Sequence, residues 1–190
     1  MVNGQDSCTS PQKPGNEWEL GLQSGAALLI ENPYNTQPNK YAFNQGVYVR
    51  KDVNDHVSMK VEVNYASIKS TMGSKDMFTA KGVGKLYNLS IPVTVEYNIS
   101  MSKKLKTFVG AGLVINTSQD SYTLYNFKEG YVNTVKTIKT SSTSGSIIFT
   151  QGVTYDISPR IRLSQSVHFI PRGACNCKQL GINFGIALKL

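Results

Sequence analysis

Tyr87-Asn88-Leu89-Ser90-Ile91-Pro92-Val93-Thr94-Val95-Glu96-Tyr97-Asn98-Ile99 alternates without a break: every odd position is apolar, and every even one is polar or proline. Side chains of a strand point alternately to its two faces, whereas a helix needs apolar residues three and four apart. The segment is therefore a strand with one apolar face. Two others repeat the pattern, 57–65 (Val57, Met59, Val61, Val63, Tyr65) and 180–190 (Leu180, Ile182, Phe184, Ile186, Leu188, Leu190). Weaker alternation marks 18–30, 41–49, 107–117, 147–157 and 161–169, which brings the number of predicted strands to eight.

The connectors alternate in length. Segments 50–56, 100–106 and 158–160 are short and rich in Asp, Asn, Ser and Pro, whereas 31–40, 66–85, 118–146 and 170–179 are mostly longer. In an up-and-down antiparallel order this places every long loop at one end, and every short turn with both chain ends at the other. The longest connector is expected to hold a hairpin of its own, because 122–127 and 132–138 flank the turn Lys128-Glu129-Gly130.

Composition limits the alternatives. The chain has 190 residues, 40% of them hydrophobic, with 20 Lys+Arg against 12 Asp+Glu for a net charge of +8. That length suits one domain, and that apolar content argues against wholesale disorder. The longest apolar run is Ala26-Ala27-Leu28-Leu29-Ile30, far below the roughly 18 residues of a transmembrane helix, so a helical membrane protein is excluded. Residues 1–17, with Pro11, Pro14 and Gly15, read as a flexible tail before a barrel over 18–190. The start, Met1-Val2-Asn3-Gly4-Gln5-Asp6, has no secretory pattern, so an internal protein and a mature exported form both remain open.

Alternation alone does not say whether the apolar face points into a core or out into lipid, and a soluble lipocalin-like ligand-binding barrel is the alternative. The opposite face separates the two readings. Besides Lys60, Glu62, Glu96, Asp156, Arg162 and Lys189 it carries Gly21, Gly25, Gly46, Gly110, Gly112, Gly152, Gly181 and Gly185. Glycine weakens a solvated strand, but inside a narrow barrel it makes room for long side chains. The apolar face also places Trp18, Tyr41, Phe43, Tyr65, Tyr87, Tyr97, Tyr155 and Phe169 near strand ends, as membrane-interface girdles require. The expected fold is an all-β, eight-stranded antiparallel transmembrane barrel with its polar face inward.

The run Leu86-Tyr87-Asn88-Leu89-Ser90-Ile91-Pro92-Val93-Thr94-Val95-Glu96-Tyr97, followed by Phe108-Val109-Gly110-Ala111-Gly112-Leu113, resembles the corresponding strands of the PorT-like outer-membrane barrels, related in architecture to OmpX and OmpA. The resemblance implies a Gram-negative outer-membrane barrel made from an exported precursor, with short turns in the periplasm and long loops outside. Such barrels often end in an aromatic residue, and this chain ends in Leu190.

Candidate chemistry is sparse. Cys175-Asn176-Cys177 is too closely spaced for an easy bridge and supplies half a zinc site, while Cys8 lies at the opposite end of the predicted topology. All three are read as structural or incidental. The inward charges Glu19, Lys60, Glu62, Glu96, Asp156, Arg162, His168 and Lys189 read as a mutually neutralising plug in preference to an acid/base site. A surface lipase needs Ser and His together on the lipid face, but His168 shares the polar face with Ser164 and Ser166, and His56 lies in a turn. No catalytic, metal or cofactor site is expected, and a plugged lumen argues against a pore. Loop lysines 69, 75, 81 and 85, 128, 136 and 139, and turn lysines 103, 104 and 106 form no aromatic-interleaved patch for nucleic acid. They suit lipopolysaccharide phosphates, so outer-membrane lipid and lipopolysaccharide are expected partners, and a small closed barrel of this kind is expected either to bind outside partners through its long loops or to serve as an accessory subunit of a larger outer-membrane complex.

Overall fold

The computed structural model describes residues 17–30, 40–72, 82–128, 131–171 and 178–190. Eight strands follow in chain order: β1 (Trp18–Ile30), β2 (Lys40–Asp52), β3 (Val57–Met72), β4 (Gly82–Ser100), β5 (Leu105–Lys128), β6 (Tyr131–Asp156), β7 (Ile161–Ile170) and β8 (Lys178–Lys189). Each pairs antiparallel with its neighbours in sequence, and β8 closes on β1. No helix among the described residues is long and apolar enough to cross a membrane.

The closure is staggered. The paired residues Trp18, Lys51, Met59, Val95, Ala111, Phe149, Phe169 and Leu180 lead once round the wall and back to β1 at Leu28, so the ladder climbs 28 − 18 = 10 residues per circuit. With eight strands that stagger sets a strand tilt of about 40°, within the range of closed barrels.

The turns at the end carrying both β1 Trp18 and β8 Lys189 share one design. In 53–56, Asn54 Oδ1 accepts from the backbone N–H of His56 at 2.9 Å and Val57 at 2.8 Å. In 101–104, Ser102 Oγ accepts from Lys104 at 3.3 Å and Leu105 at 3.1 Å, and in 157–160, Ser158 Oγ accepts from Arg160 at 3.3 Å and Ile161 at 3.1 Å. Short polar side chains that satisfy turn amides hold these connections tight.

Three expected connectors change. The hairpin expected inside 118–146 is present, with 122–127 paired to 132–138, but it is no separate unit within a loop: β5 and β6 run through the whole segment as one ladder, with a register shift only at Asn126/Phe127. Nor is 50–56 all turn, since Arg50, Lys51 and Asp52 complete β2. Likewise β3 runs on to Met72 and β4 starts at Gly82, inside the expected 66–85 connector. Pro92 sits within β4, and the β3–β4 pairing lapses between Val61↔Val93 and Asn64↔Ser90, where proline has no N–H to give. The register is the same on both sides of the lapse, since 61 + 93 = 64 + 90 = 154. Residues 1–16, with Cys8, and 172–177, with Cys175 and Cys177, lie outside the described residues, as do Lys75 and Lys81.

Candidate functional site: lipid belt and luminal plug

The two faces of the wall have opposite chemistry. Outward from β1 to β8 stand Leu22, Val47, Val61, Val93, Leu113, Phe149, Val167 and Ile186, all exposed. Aromatic residues border this belt: Trp18, Tyr97 and Tyr155 near the short turns, and Tyr41, Phe43 and Tyr65 toward the other end, with Tyr65 stacked on Tyr87 at 6.3 Å. Lys51 Nζ lies 4.9 Å from the Trp18 ring centroid, where a cation at the membrane edge can remain wet. An outside this apolar, around a polar inside, disfavours the soluble ligand-binding alternative, which needs the reverse.

Inside, an ionic layer fills the short-turn end. Glu19 is 1% exposed and contacts both Arg162 Nη1 and, at 3.8 Å, Arg50 Nη1. Arg162 Nε donates to Asp156 Oδ1 at 2.6 Å, and Lys189 Nζ to Asp156 Oδ2 at 2.7 Å. Arg50 Nε lies 3.1 Å from Glu96 Oε2, and its Nη2 donates to Ser58 Oγ at 2.8 Å and Asn98 Oδ1 at 2.6 Å. One level higher, Lys60 Nζ pairs with Glu62 Oε1 at 2.8 Å, and Gln23 Nε2 donates to Glu62 Oε2 at 2.5 Å and Asn64 Oδ1 at 2.7 Å. Buried charges persist only when paired in this way.

Three rings stand among these groups, each opposite a glycine. The direct cross-strand partners of Tyr48, Phe108 and His168 are Gly21, Gly152 and Gly181. A Cβ added at Gly152 would lie 2.7 Å from Phe108 Cζ, and one at Gly21 or Gly181 would strike the facing ring. The glycines leave room for each ring over the facing strand. Tyr48 then carries the Lys60 ammonium 4.4 Å from its centroid, and Phe108 carries Arg50 at 6.0 Å.

Toward the long-strand end, Asn44 Nδ2 donates to Asn183 Oδ1 at 3.0 Å and Gln179 Nε2 lies 3.3 Å from His168 Nε2. Two apolar clusters follow, Ala27 with Ala42 and Leu86, and Val114 with Ile148 and Ile170. Between the clusters and the ionic layer remains a cavity of about 20 Å³ bordered by Glu62, Asn64, Thr94 and His168, room for about one water molecule.

All eight inward charged or titratable groups read from the sequence face the lumen. Arg50 and Asp52 were missed. His168 is 8% exposed inside the barrel, on the face opposite the apolar belt, and His56 stacks on Tyr97 at a turn. Among the described residues no three His, Cys, Asp or Glu side chains are grouped to hold a metal.

No family model matches this chain, and no curated protein does either. Solved structures do match. The attachment invasion locus protein Ail of Yersinia pestis superimposes with a TM-score of 0.56 at 12% identity, over 93% of this chain and 99% of that one. Ail in complex with the heparin analogue sucrose octasulfate gives 0.57 at 11%, over 93% and 99%. Neisserial surface protein A gives 0.57 at 15%, over 94% and 100%. The fold is that of the small outer-membrane barrels. In outer-membrane barrels the short turns face the periplasm, so the ionic layer lies on the periplasmic side and the β5–β6 extension projects outward.

Proposed function

We propose that this chain is a closed, non-enzymatic outer-membrane barrel that works by binding at its outer end, through the sheet that β5 and β6 carry beyond the membrane. One observation carries the reading. β6 pairs with β5 along its whole length, but with β7 only from Phe149 to Asp156. No described strand covers the other edge of 139–148, whose residues Lys139, Thr140, Ser141, Ser142 and Thr143 are exposed. An open strand edge held rigidly in water offers a row of backbone donors and acceptors to an extended peptide.

The surrounding chemistry suits a polar and anionic setting. Lys85, Lys139 and Lys178 are exposed toward this end and can meet lipopolysaccharide phosphates. The Ail structure with a sulfated sugar analogue is a precedent for polyanion contact in this fold. An accessory role in a larger outer-membrane complex fits a barrel whose lumen is filled and whose projecting edge, among the described residues, is free to take a partner's strand.

The test is photo-cross-linking in intact cells from Ser141, with belt position Val93 as the control. A discrete protein adduct from Ser141 that is absent from Val93 supports the proposal. Adducts to lipid alone would refute it.

A further inference from the structure

The belt is not apolar all round. On β3, β4 and β5 the wall at mid-depth shows Val61, Val93 and Ala111; Gln45 stands singly on β2 nearer the long-strand end, whereas β6 and β7 show two neighbouring amides at mid-depth, Gln151 and Gln165, both exposed. Gln151 stands 156 − 151 = 5 residues above the end of β6, and Gln165 stands 165 − 161 = 4 above the start of β7. At an axial rise of about 2.5 Å per residue for tilted strands, both lie about 10–13 Å above the turns, halfway up a belt roughly 25 Å tall. Neither side chain is long enough to reach water at either interface.

Neither amide has a hydrogen-bond partner among the described residues. The nearby Thr107 hydroxyl, by contrast, donates to the Gly152 carbonyl at 2.9 Å. An unpaired amide in hydrocarbon is costly, because lipid tails offer neither donor nor acceptor.

We propose that this side of the barrel is a dimer interface whose occupant is a second copy of the chain, docked about a two-fold axis normal to the membrane between β6 and β7. Gln151 pairs with Val167 and Gln165 with Val153, so the two amides hold one diagonal of a four-residue block and the valines hold the other. Each step round the ladder climbs slightly more than one residue, which brings the diagonal amides to nearly the same depth. Two copies inserted the same way up must match depth for depth, so Gln151 of one meets Gln165 of the other, and the reverse. An amide both donates and accepts, so the contact completes itself. A partner with a charge at this depth would face a neutral wall and remain unpaired, which favours the second copy. A shallow groove of about 310 Å³ floored by Gly152 lies on this axis, between Gln151 and Gln165. The inference goes beyond the outer-end binding proposed above and does not depend on it.

The test is sedimentation equilibrium of the full chain in nonionic micelles, with photo-cross-linking from Val167 in lipid vesicles. The parent should dimerise, and Gln151→Leu combined with Gln165→Leu should weaken association by about tenfold or more, since intramembrane hydrogen bonds are individually modest. Leucine belongs on a lipid-facing wall, so the double variant folds. Val93→Gln, on the opposite side, should leave association unchanged, as should replacement of 121–139 by Asn-Gly. Adducts between two copies support the proposal. A parent that stays monomeric at every protein-to-lipid ratio, a double variant that associates as tightly as the parent, or adducts only to lipid or to another protein would overturn it.

Discussion

Arg50 shows how much a single residue can depend on its neighbours. It bridges Glu19 and Glu96 and donates to Ser58 and Asn98, yet alternation alone assigns it to a turn. The cause is Lys51, whose outward side chain at the Trp18 edge interrupts the apolar face one position past Arg50 and removes Arg50 and Asp52 from the visible strand. Among the described residues, the luminal ion-pair network holds acids Glu19, Asp52, Glu62, Glu96 and Asp156 against cations Arg50, Lys60, Arg162 and Lys189, so 4 − 5 gives the network a formal charge of −1. Removing a cation deepens that imbalance, while removing an acid relieves it. Arg50→Met should therefore cost about 3–5 kcal/mol, the range for breaking a buried pair, and Glu96→Gln clearly less. Urea unfolding in lipid vesicles orders the two, and a larger loss for Glu96→Gln would contradict the charge count. The wall itself is tested one residue apart, where Val93 is exposed and Thr94 is buried. Val93→Arg should cost about 2–4 kcal/mol in bilayers, and Thr94→Ser much less. Equal folding of parent and Val93→Arg would mean that the face does not contact lipid.

At the scale of elements, the sequence is legible where the membrane imposes a pattern. All eight strands and all three short turns were visible because one face meets lipid and the other a packed lumen. Above the belt both faces of β5 and β6 meet water, so the apolar alternation fades into Ser and Thr near 140–146, and a continuous ladder reads as a loop. Gln151 and Gln165 were legible only as gaps in otherwise regular alternation, and the three ring-on-glycine pairs not at all, because parity gives a face while a pair requires the register. The projecting part of the hairpin should be separable from the barrel. Asp120 pairs with Thr140, so Asn-Gly in place of 121–139 joins paired residues by a two-residue turn suited to a hairpin. Shortening a closed loop changes its entropy only slowly. The variant should retain heat-modifiable migration on gels and β-type circular dichroism, and loss of either would make 121–139 part of the wall.

The whole molecule is a cylinder closed at two levels. Eight strands with a ladder climb of 10 leave a lumen only wide enough for side chains to fill. Across the periplasmic side lies the network anchored by Glu19, Arg50, Asp156 and Arg162, and across the outer side lie Leu86, Val114, Ile148 and Ile170. The cavity between them, about 20 Å³, holds about one water molecule, and side chains of the described residues fill the levels on either side of it. A hydrated ion would have to separate paired charges and then pass an apolar constriction. The folded parent in a planar bilayer should therefore show no steady conductance in symmetric salt. Ile148→Ser, which opens only the outer level, should remain closed because the ionic level persists, whereas Ile148→Ser combined with Arg50→Ser should leak if it still folds. Steady channels in the parent would show that the two levels do not seal the lumen. Channels in Ile148→Ser alone would show that the paired charges let ions through and that the apolar clusters are the only seal.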